Sequence, residues 1–411
     1  MSTVTEFVPK DLDGSTWSAL EPLYTALIER ELKCPKCLEK LILDRSELDS
    51  AAAEAAANLY IETTRHTDDE DIKKAYETFV TEVQPNLKKA GFELDRKIVD
   101  SEHASGLDQE RYAMLLKHLS TDVHMFREEN VAVETELSLL DQKYSQICGA
   151  MTVEFDGEEK TMPMMARYLE ETDRSVRESA WRATWERRLK ERDAMDDIFD
   201  EMIEKRATLA TNTGYSNFRD YQHDNMHRYD YKPEDCTKFH DAVEEHCVPV
   251  MRKLNAERAA SLGVDTLRPW DLGVDIKNRD PLRPFNNADQ MFKGTSHMFH
   301  RLDARLGNMF DSLAVGDCLD LESRKGKAPG GYQYQRERSR QPFIFMNAAG
   351  LQRDLNTMVH EAGHAFHSIM CMDEPIMSYR SAPMEFCEVA SMSMELLTFP
   401  YLDEFYEEEE A

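Results

Sequence analysis

The sequence predicts a mainly α-helical protein with a small β element, and three observations carry that expectation. Glycine (16) and proline (15) are scarce for 411 residues, while charged residues reach 31%; this balance suits long solvent-facing helices better than a turn-rich β architecture. Apolar residues recur at three- and four-residue steps along most of the chain, with charged residues between them. Only two short stretches alternate or cluster in a β-prone way.

From about Thr16 to Tyr144 the pattern is almost continuously helical, with breaks expected near Pro35, Pro85 and Gly106. Segments such as Glu47–Thr63 and Asp69–Lys89 carry apolar stripes and charged outer faces, as in an antiparallel helical domain covering residues 1–150. Val153-Glu-Phe-Asp-Gly-Glu-Glu-Lys-Thr161 alternates and turns at Asp156-Gly157, which predicts a β-hairpin. One long helix is expected from Thr172 to about Gly214, and another from Pro233 towards Leu262. Arg268-Pro-Trp-Asp271 reads as a turn anchored by a large aromatic. Lys325-Gly-Lys-Ala-Pro-Gly-Gly-Tyr332 reads as a flexible surface loop feeding a strand at Pro342–Asn347. That strand is expected to lie beside the helix that follows, as an edge to which an extended peptide could add.

Charge and cysteine usage narrow the function. A formal charge of −29 would repel nucleic acid and anionic membrane surfaces, so neither is expected as a partner. The first ten residues contain no basic segment followed by an apolar run, and no window approaches the ~18 apolar residues of a membrane span. Eight scattered cysteines form no framework, which suggests a reduced, cytoplasmic protein. Cys34-Pro-Lys-Cys37 lacks both the second pair of a zinc knuckle and the βαβ surroundings of a redox site, so a structural or incidental role is expected. His297-Met-Phe-His300 adjoins no carboxylate cluster and reads as structural.

The chemistry concentrates in His360-Glu-Ala-Gly-His364. H-E-x-x-H on a helix presents two imidazoles to one zinc ion, with the glutamate, Glu361, as base. At about 100° per residue, His364 falls about 40° from His360 and His367 about 20° from it, while Glu361 lies at the rim of that face. Leu355, Met358, Val359, Ala362, Ala365, Phe366 and Ile369 form the opposite, apolar arc. A catalytic zinc needs a third protein ligand, and Asp373, Glu374, Glu385, Glu388 and Glu395 are the downstream candidates. Asp373 and Glu374 precede Pro375 in what looks like a turning loop. Glu385, Glu388 and Glu395 share one face of an otherwise apolar helix, where burying three carboxylates without cations would cost several kcal/mol each. Gly363 weakens a helix interior by about 1 kcal/mol but lets another backbone approach the metal face.

The run from His360 to His367, followed by Glu385-Phe-Cys-Glu388-Val-Ala-Ser391 and Glu395, resembles the thimet oligopeptidase (M3) family of zinc metallopeptidases, in particular its oligoendopeptidase F branch. The likeness extends upstream through Lys325-Gly-Lys327 and Arg268-Pro-Trp-Asp271 to the hairpin at Asp156-Gly157. It implies a helical N-terminal domain, residues 1–150, and a helical zincin-type catalytic domain with a small β element, residues 151–411. It implies one Zn2+ held by His360, His364 and Glu388, with Glu361 as general base. His367, Glu385 and Glu395 then become supporting or substrate-side groups. The expected activity is endopeptidase cleavage of short oligopeptides. Family members continue well beyond the position of Ala411, so a C-terminally incomplete catalytic domain is expected. The alternative it leaves open is a zinc-binding helical scaffold without turnover.

Overall fold

The computed structural model describes residues 7–407 and 410; Met1–Glu6, read above for a targeting segment, and Glu408, Glu409 and Ala411 lie outside them. Capping chemistry sets most helix starts. Asp69, Asp108 and Asp173 each accept backbone N–H groups from the first turns of Glu70–Thr78, Gln109–Met125 and Arg174–Leu189, the usual N-cap arrangement. Pro35 opens the 31-residue helix Pro35–Arg65, at a position where its missing N–H has no partner to lose.

The expected break near Pro85 does not occur. Glu70–Thr78 passes through a π turn at Phe79–Val83 into Gln84–Val99. The wider turn shifts the hydrogen-bond ladder, so a residue without an N–H is accommodated. Pro249 follows a second π turn, Val243–Cys247, within the helical run Pro233–Leu262. Conversely, the single helix expected after Thr172 is two, Arg174–Leu189 and Arg192–Thr213. Between them Lys190 and Glu191 close onto the carbonyls three residues back, which tightens and ends the turn.

The predicted hairpin is present as β1 (Thr152–Phe155) and β2 (Glu158–Thr161). Asp156 and Gly157 have φ of 55° and 77°, the left-handed pair that a two-residue type I′ turn requires. A second sheet contains β3 (Leu319–Glu322), β4 (Tyr332–Arg336) and β5 (Gln341–Ala348) in the order β3-β5-β4, with β3 parallel and β4 antiparallel to β5. The expectation that Pro342–Asn347 forms an edge is therefore corrected. It lies in the central strand, with Phe343, Ile344 and Phe345 fully buried, and the edge beside the next helix is β4. The loop reading hid this, because Tyr332-Gln-Tyr-Gln-Arg336 follows directly on Pro329-Gly-Gly331 and contains no aliphatic residue.

The two faces of β5 decide where its neighbours sit. Phe343 and Phe345 pack with Ile61 and Ala328, towards helix Pro35–Arg65. Ile344 and Met346 pack with Met358, Val359 and Ala362 of helix Gln352–Met370. Residues before and after 150 thus share a core, and Ile376 joins Leu41, Ile42 and Leu48 in another.

Lys325–Tyr332 is a surface loop only in part: Gly326, Lys327 and Ala328 are buried, while Lys325 and residues 329–331 are exposed. Lys327 is buried, and its ammonium donates to Asp320 Oδ1 (2.9 Å) and to the carbonyls of Asp320 (3.2 Å), Glu322 (2.9 Å) and Met346. Thr67 N–H donates to Gly326 O at 2.7 Å, and Ala328 N–H to Thr64 O at 2.8 Å. The buried cation with its carbonyl cage anchors the middle of this glycine-rich segment. No helix among the described residues is long and apolar enough to cross a membrane.

Candidate metal centre

The helix Gln352–Met370, here the histidine helix, starts where Asp354 accepts the N–H groups of Ala349 (2.7 Å) and Leu351 (3.0 Å). Leu355, Met358, Val359, Ala362, Ala365 and Phe366 are buried. Their burial against the sheet and the Phe299–Phe310 cluster fixes the rotation of the helix. His360 and His364, one turn apart on the remaining arc, then project together, with ring centroids 5.0 Å apart and planes at 81°.

The helix Met384–Thr398, the carboxylate helix, crosses at Gly363. A Cβ at Gly363 would lie 2.6 Å from Ser391 Cα and 2.9 Å from Ala390 O, so only glycine permits this approach. The approach sets Glu388 Oε2 3.2 Å from His360 Nε2 and 3.8 Å from His364 Nε2. Ligand atoms of His360, His364 and Glu388 all lie within 4.8 Å of one another. The 3.2 and 3.8 Å separations bracket the edge of a tetrahedron with metal bonds of ~2.05 Å, about 3.3 Å. Two imidazole nitrogens and one carboxylate oxygen are a donor set suited to zinc.

The surrounding groups are placed unequally. Ser391 Oγ donates to Glu388 Oε2 at 3.1 Å, and Glu395 Oε1 accepts from His360 Nδ1 at 2.8 Å. Glu361 is buried, and that burial pushes its carboxyl up to about 7; His360 opposes the shift and Glu388 adds to it. His367 is half-buried on the same helix. Glu385 is engaged elsewhere: Arg228 Nε donates to it at 2.6 Å and the Tyr231 hydroxyl also binds it. Tyr231 and Arg228 hold its carboxyl at about 2. Glu374 pairs with Arg111 at 2.7 Å, in the loop that ends at the carboxylate helix.

The carboxylate helix departs from expectation in one respect. Its carboxylates are not buried: the side chains of Glu385, Glu388 and Glu395 are 42%, 46% and 35% exposed. Only a narrow face, including Ser391 and Thr398, is packed, while Phe386, Val389, Met392 and Leu396 stand open to solvent. What brings the carboxylate to the histidines is the close crossing at Gly363, not the cost of desolvation. Arg228 and Tyr231 carried no sequence signal, because their only link to the site is through space.

The sequence profile of peptidase family M3 matches residues 167–410, and that of the Peptidase M3 N-terminal domain matches residues 12–126. The chain belongs to peptidase family M3. Among curated M3 relatives, it is 23% identical over 248 residues to the group B oligopeptidase PepB of Streptococcus agalactiae, covering 57% of this chain and 38% of PepB. It is 25% identical over 251 residues to the oligopeptidase PepF of Bacillus subtilis, covering 60% of this chain and 36% of PepF. The matches thus span little more than a third of those relatives. A solved structure described as an oligoendopeptidase F from Bacillus anthracis superposes with a TM-score of 0.90 at 27% identity, covering 96% of this chain and 72% of that one. PZ peptidase A with an inhibitor gives 0.91 at 26% identity, covering 96% and 70%. The mainly helical fold with its small sheets is that of the oligoendopeptidase F structures.

Proposed function

We propose that this M3 chain is a zinc-dependent endopeptidase that hydrolyses internal bonds of short oligopeptides. The observation that carries the reading is the convergence of His360, His364 and Glu388, with the buried carboxyl of Glu361 on the same helical turn. His360, His364 and Glu388 would hold the metal, and the oligopeptidase names of the relatives support the substrate class. When bound, zinc supplies Lewis acidity, acidifying water and polarising the scissile carbonyl.

The chain's own residues would do the rest. Glu361 accepts the proton of the attacking water and returns a proton to the departing amine nitrogen. Its buried position keeps that shuttle out of bulk water. Glu395 holds the His360 Nδ1–H, which orients Nε2 towards Glu388. Among the described residues β4 has no strand on its outer side, so it offers backbone groups to an extended peptide. Gln333 of this strand reaches Ser368 of the histidine helix at 3.3 Å, which keeps the two elements in register.

A second reading, a zinc-binding scaffold without turnover, is favoured by one observation: the open apolar face of the carboxylate helix around Phe386, Val389 and Leu396. An internally quenched peptide assay on the 411-residue chain, run with zinc analysis, separates the two. The expected result is one zinc per chain in both wild type and Glu361→Gln, chelator-sensitive hydrolysis, and a loss of about 10²–10⁴-fold in the variant. Hydrolysis that survives Glu361→Gln overturns the mechanism. A zinc-loaded, inert wild type establishes the scaffold.

A further inference from the structure

Cys34-Pro-Lys-Cys37 lies outside the metal centre, and its sequence context suggested a structural or incidental role. Cys34 is the N-cap of helix Pro35–Arg65, in extended backbone with φ −166° and ψ 163°. Its sulfur accepts the Cys37 N–H at 3.3 Å, and the two sulfurs face each other at 2.6 Å. Both residues are free and partly exposed. The missing βαβ surroundings do not remove the physics that makes such a pair reactive. What is needed is a helix N-terminus, nearby cations and solvent access.

All three are present. The 31-residue helix directs its unpaired N–H groups at Cys34. Lys33, itself paired with Glu31 at 2.8 Å, precedes the pair, and Lys36 lies between the two cysteines, in a chain that is otherwise strongly acidic. Hydrogen bonding from Cys34, then from backbone N–H groups, lowers the Cys37 thiol. Elsewhere the opposite holds, since burial raises the thiols of Cys148, Cys318 and Cys371.

The pair is also held rigidly. A Cβ at Gly106 would lie 2.5 Å from Pro35 Cγ, so the turn at Ala104–Gly106 seats directly on the proline between the cysteines. His103 Nε2 lies 3.2 Å from Leu32 O and ties down the residues that lead into Cys34. A pair fixed face to face loses little freedom on closing the four-residue ring, so its second exchange step is intramolecular and fast.

We propose that Cys34 and Cys37 form a redox-active dithiol that exchanges with small-molecule disulfides of the glutathione class. A thiolate of the pair attacks one sulfur of the small disulfide, breaking its S–S bond and releasing one thiolate. The second cysteine attacks the sulfur of its neighbour in the mixed disulfide, releasing the other. Two electrons pass from the dithiol to the small molecule, and the two protons go to the released thiols.

The intact chain is equilibrated with defined ratios of reduced and oxidised glutathione, quenched with iodoacetamide and mapped by peptide mass spectrometry. The expected result is an intrapeptide Cys34–Cys37 disulfide at ratios that leave the other cysteines alkylated. Cys34→Ser should stop Cys37 at the reduced or glutathione-adduct stage. Under reducing conditions the wild-type pair should alkylate about tenfold faster than exposed Cys247 at neutral pH. Oxidation of the pair no earlier than the other cysteines, a stable adduct in wild type with no ring closure, or alkylation at the Cys247 rate overturns the proposal.

Discussion

His360 Nδ1 lies 2.8 Å from Glu395 Oε1, while its Nε2 faces Glu388 at 3.2 Å. The ring therefore spans two carboxylates about two turns apart on one helical face. A proton on Nδ1 directed at Glu395 leaves the Nε2 lone pair free as a metal donor. Glu395→Ala should weaken zinc binding by about 10–100-fold while leaving the helices folded, and Glu395→Gln, which keeps an acceptor oxygen, should weaken it less. Competition with a chromophoric chelator measures this, and equal affinity in all three proteins would remove Glu395 from the site.

Gly363 provides a test of the helix crossing. On helix propensity alone, Gly363→Ala should stabilise the histidine helix by about 1 kcal/mol. The new Cβ would instead meet Ser391 Cα at 2.6 Å and Ala390 O at 2.9 Å, both backbone atoms that cannot rotate away. The helices must part, at a cost of about 1–3 kcal/mol for overpacking. Glu388 lies one turn before Ser391, so zinc affinity should fall together with the urea midpoint. A variant that gains stability and keeps its zinc would show that the crossing is looser than the distances indicate.

The helical character, the hairpin and the histidine helix were legible in the sequence because each rests on local periodicity or turn chemistry. Asp156-Gly157 carries its own turn type, and the His360–His364 spacing carries its own geometry. The exchange of roles between β4 and β5 was not legible, because strand order depends on what covers each face. Phe343 and Phe345 meet helix Pro35–Arg65, roughly 280 residues earlier in the chain, as counted from the residue numbers. Composition likewise suggested a mobile segment at Lys325–Tyr332, yet Lys327 finds four acceptors that converge only in the folded sheet. At the carboxylate helix, amphipathicity placed the three glutamates on one face but could not show that Glu385 answers to Arg228 and Tyr231 instead of the histidines.

That last contact leads to a prediction about positioning. Arg228 and Tyr231 fasten the first turn of the carboxylate helix through Glu385, one turn before Glu388. Because the Glu385 side chain is 42% exposed, removing Arg228 should cost little global stability, below about 1 kcal/mol. Its effect should appear in the metal site instead. Arg228→Ala is expected to lower zinc affinity with the thermal midpoint nearly unchanged, and Arg228→Lys to recover part of it. A fall in midpoint without a change in zinc affinity would assign the contact to folding alone.

Asp271 contributes to the acid side of stability. Its side chain is fully buried, and it accepts Arg174 Nε (2.9 Å) and Nη2 (2.8 Å), Arg177 Nη2 (3.2 Å) and the Arg268 N–H (2.9 Å). Burial alone would raise the carboxyl, but these donors outweigh it and hold it at about 2. The folded state therefore binds fewer protons than the unfolded state below its ordinary value of 3.8. The stabilisation is fully present above pH ~4 and is lost as pH falls through about 2. A depression of this size corresponds to roughly 2 kcal/mol. Asp271→Asn should make that acid limb shallower in urea midpoints taken from pH 5 to pH 2. At neutral pH it should destabilise by about 3–5 kcal/mol, because Arg177 would remain buried without its counter-charge. An unchanged acid limb in the variant would place the acid sensitivity at other carboxylates, Asp320 beside Lys327 and Arg324 first among them.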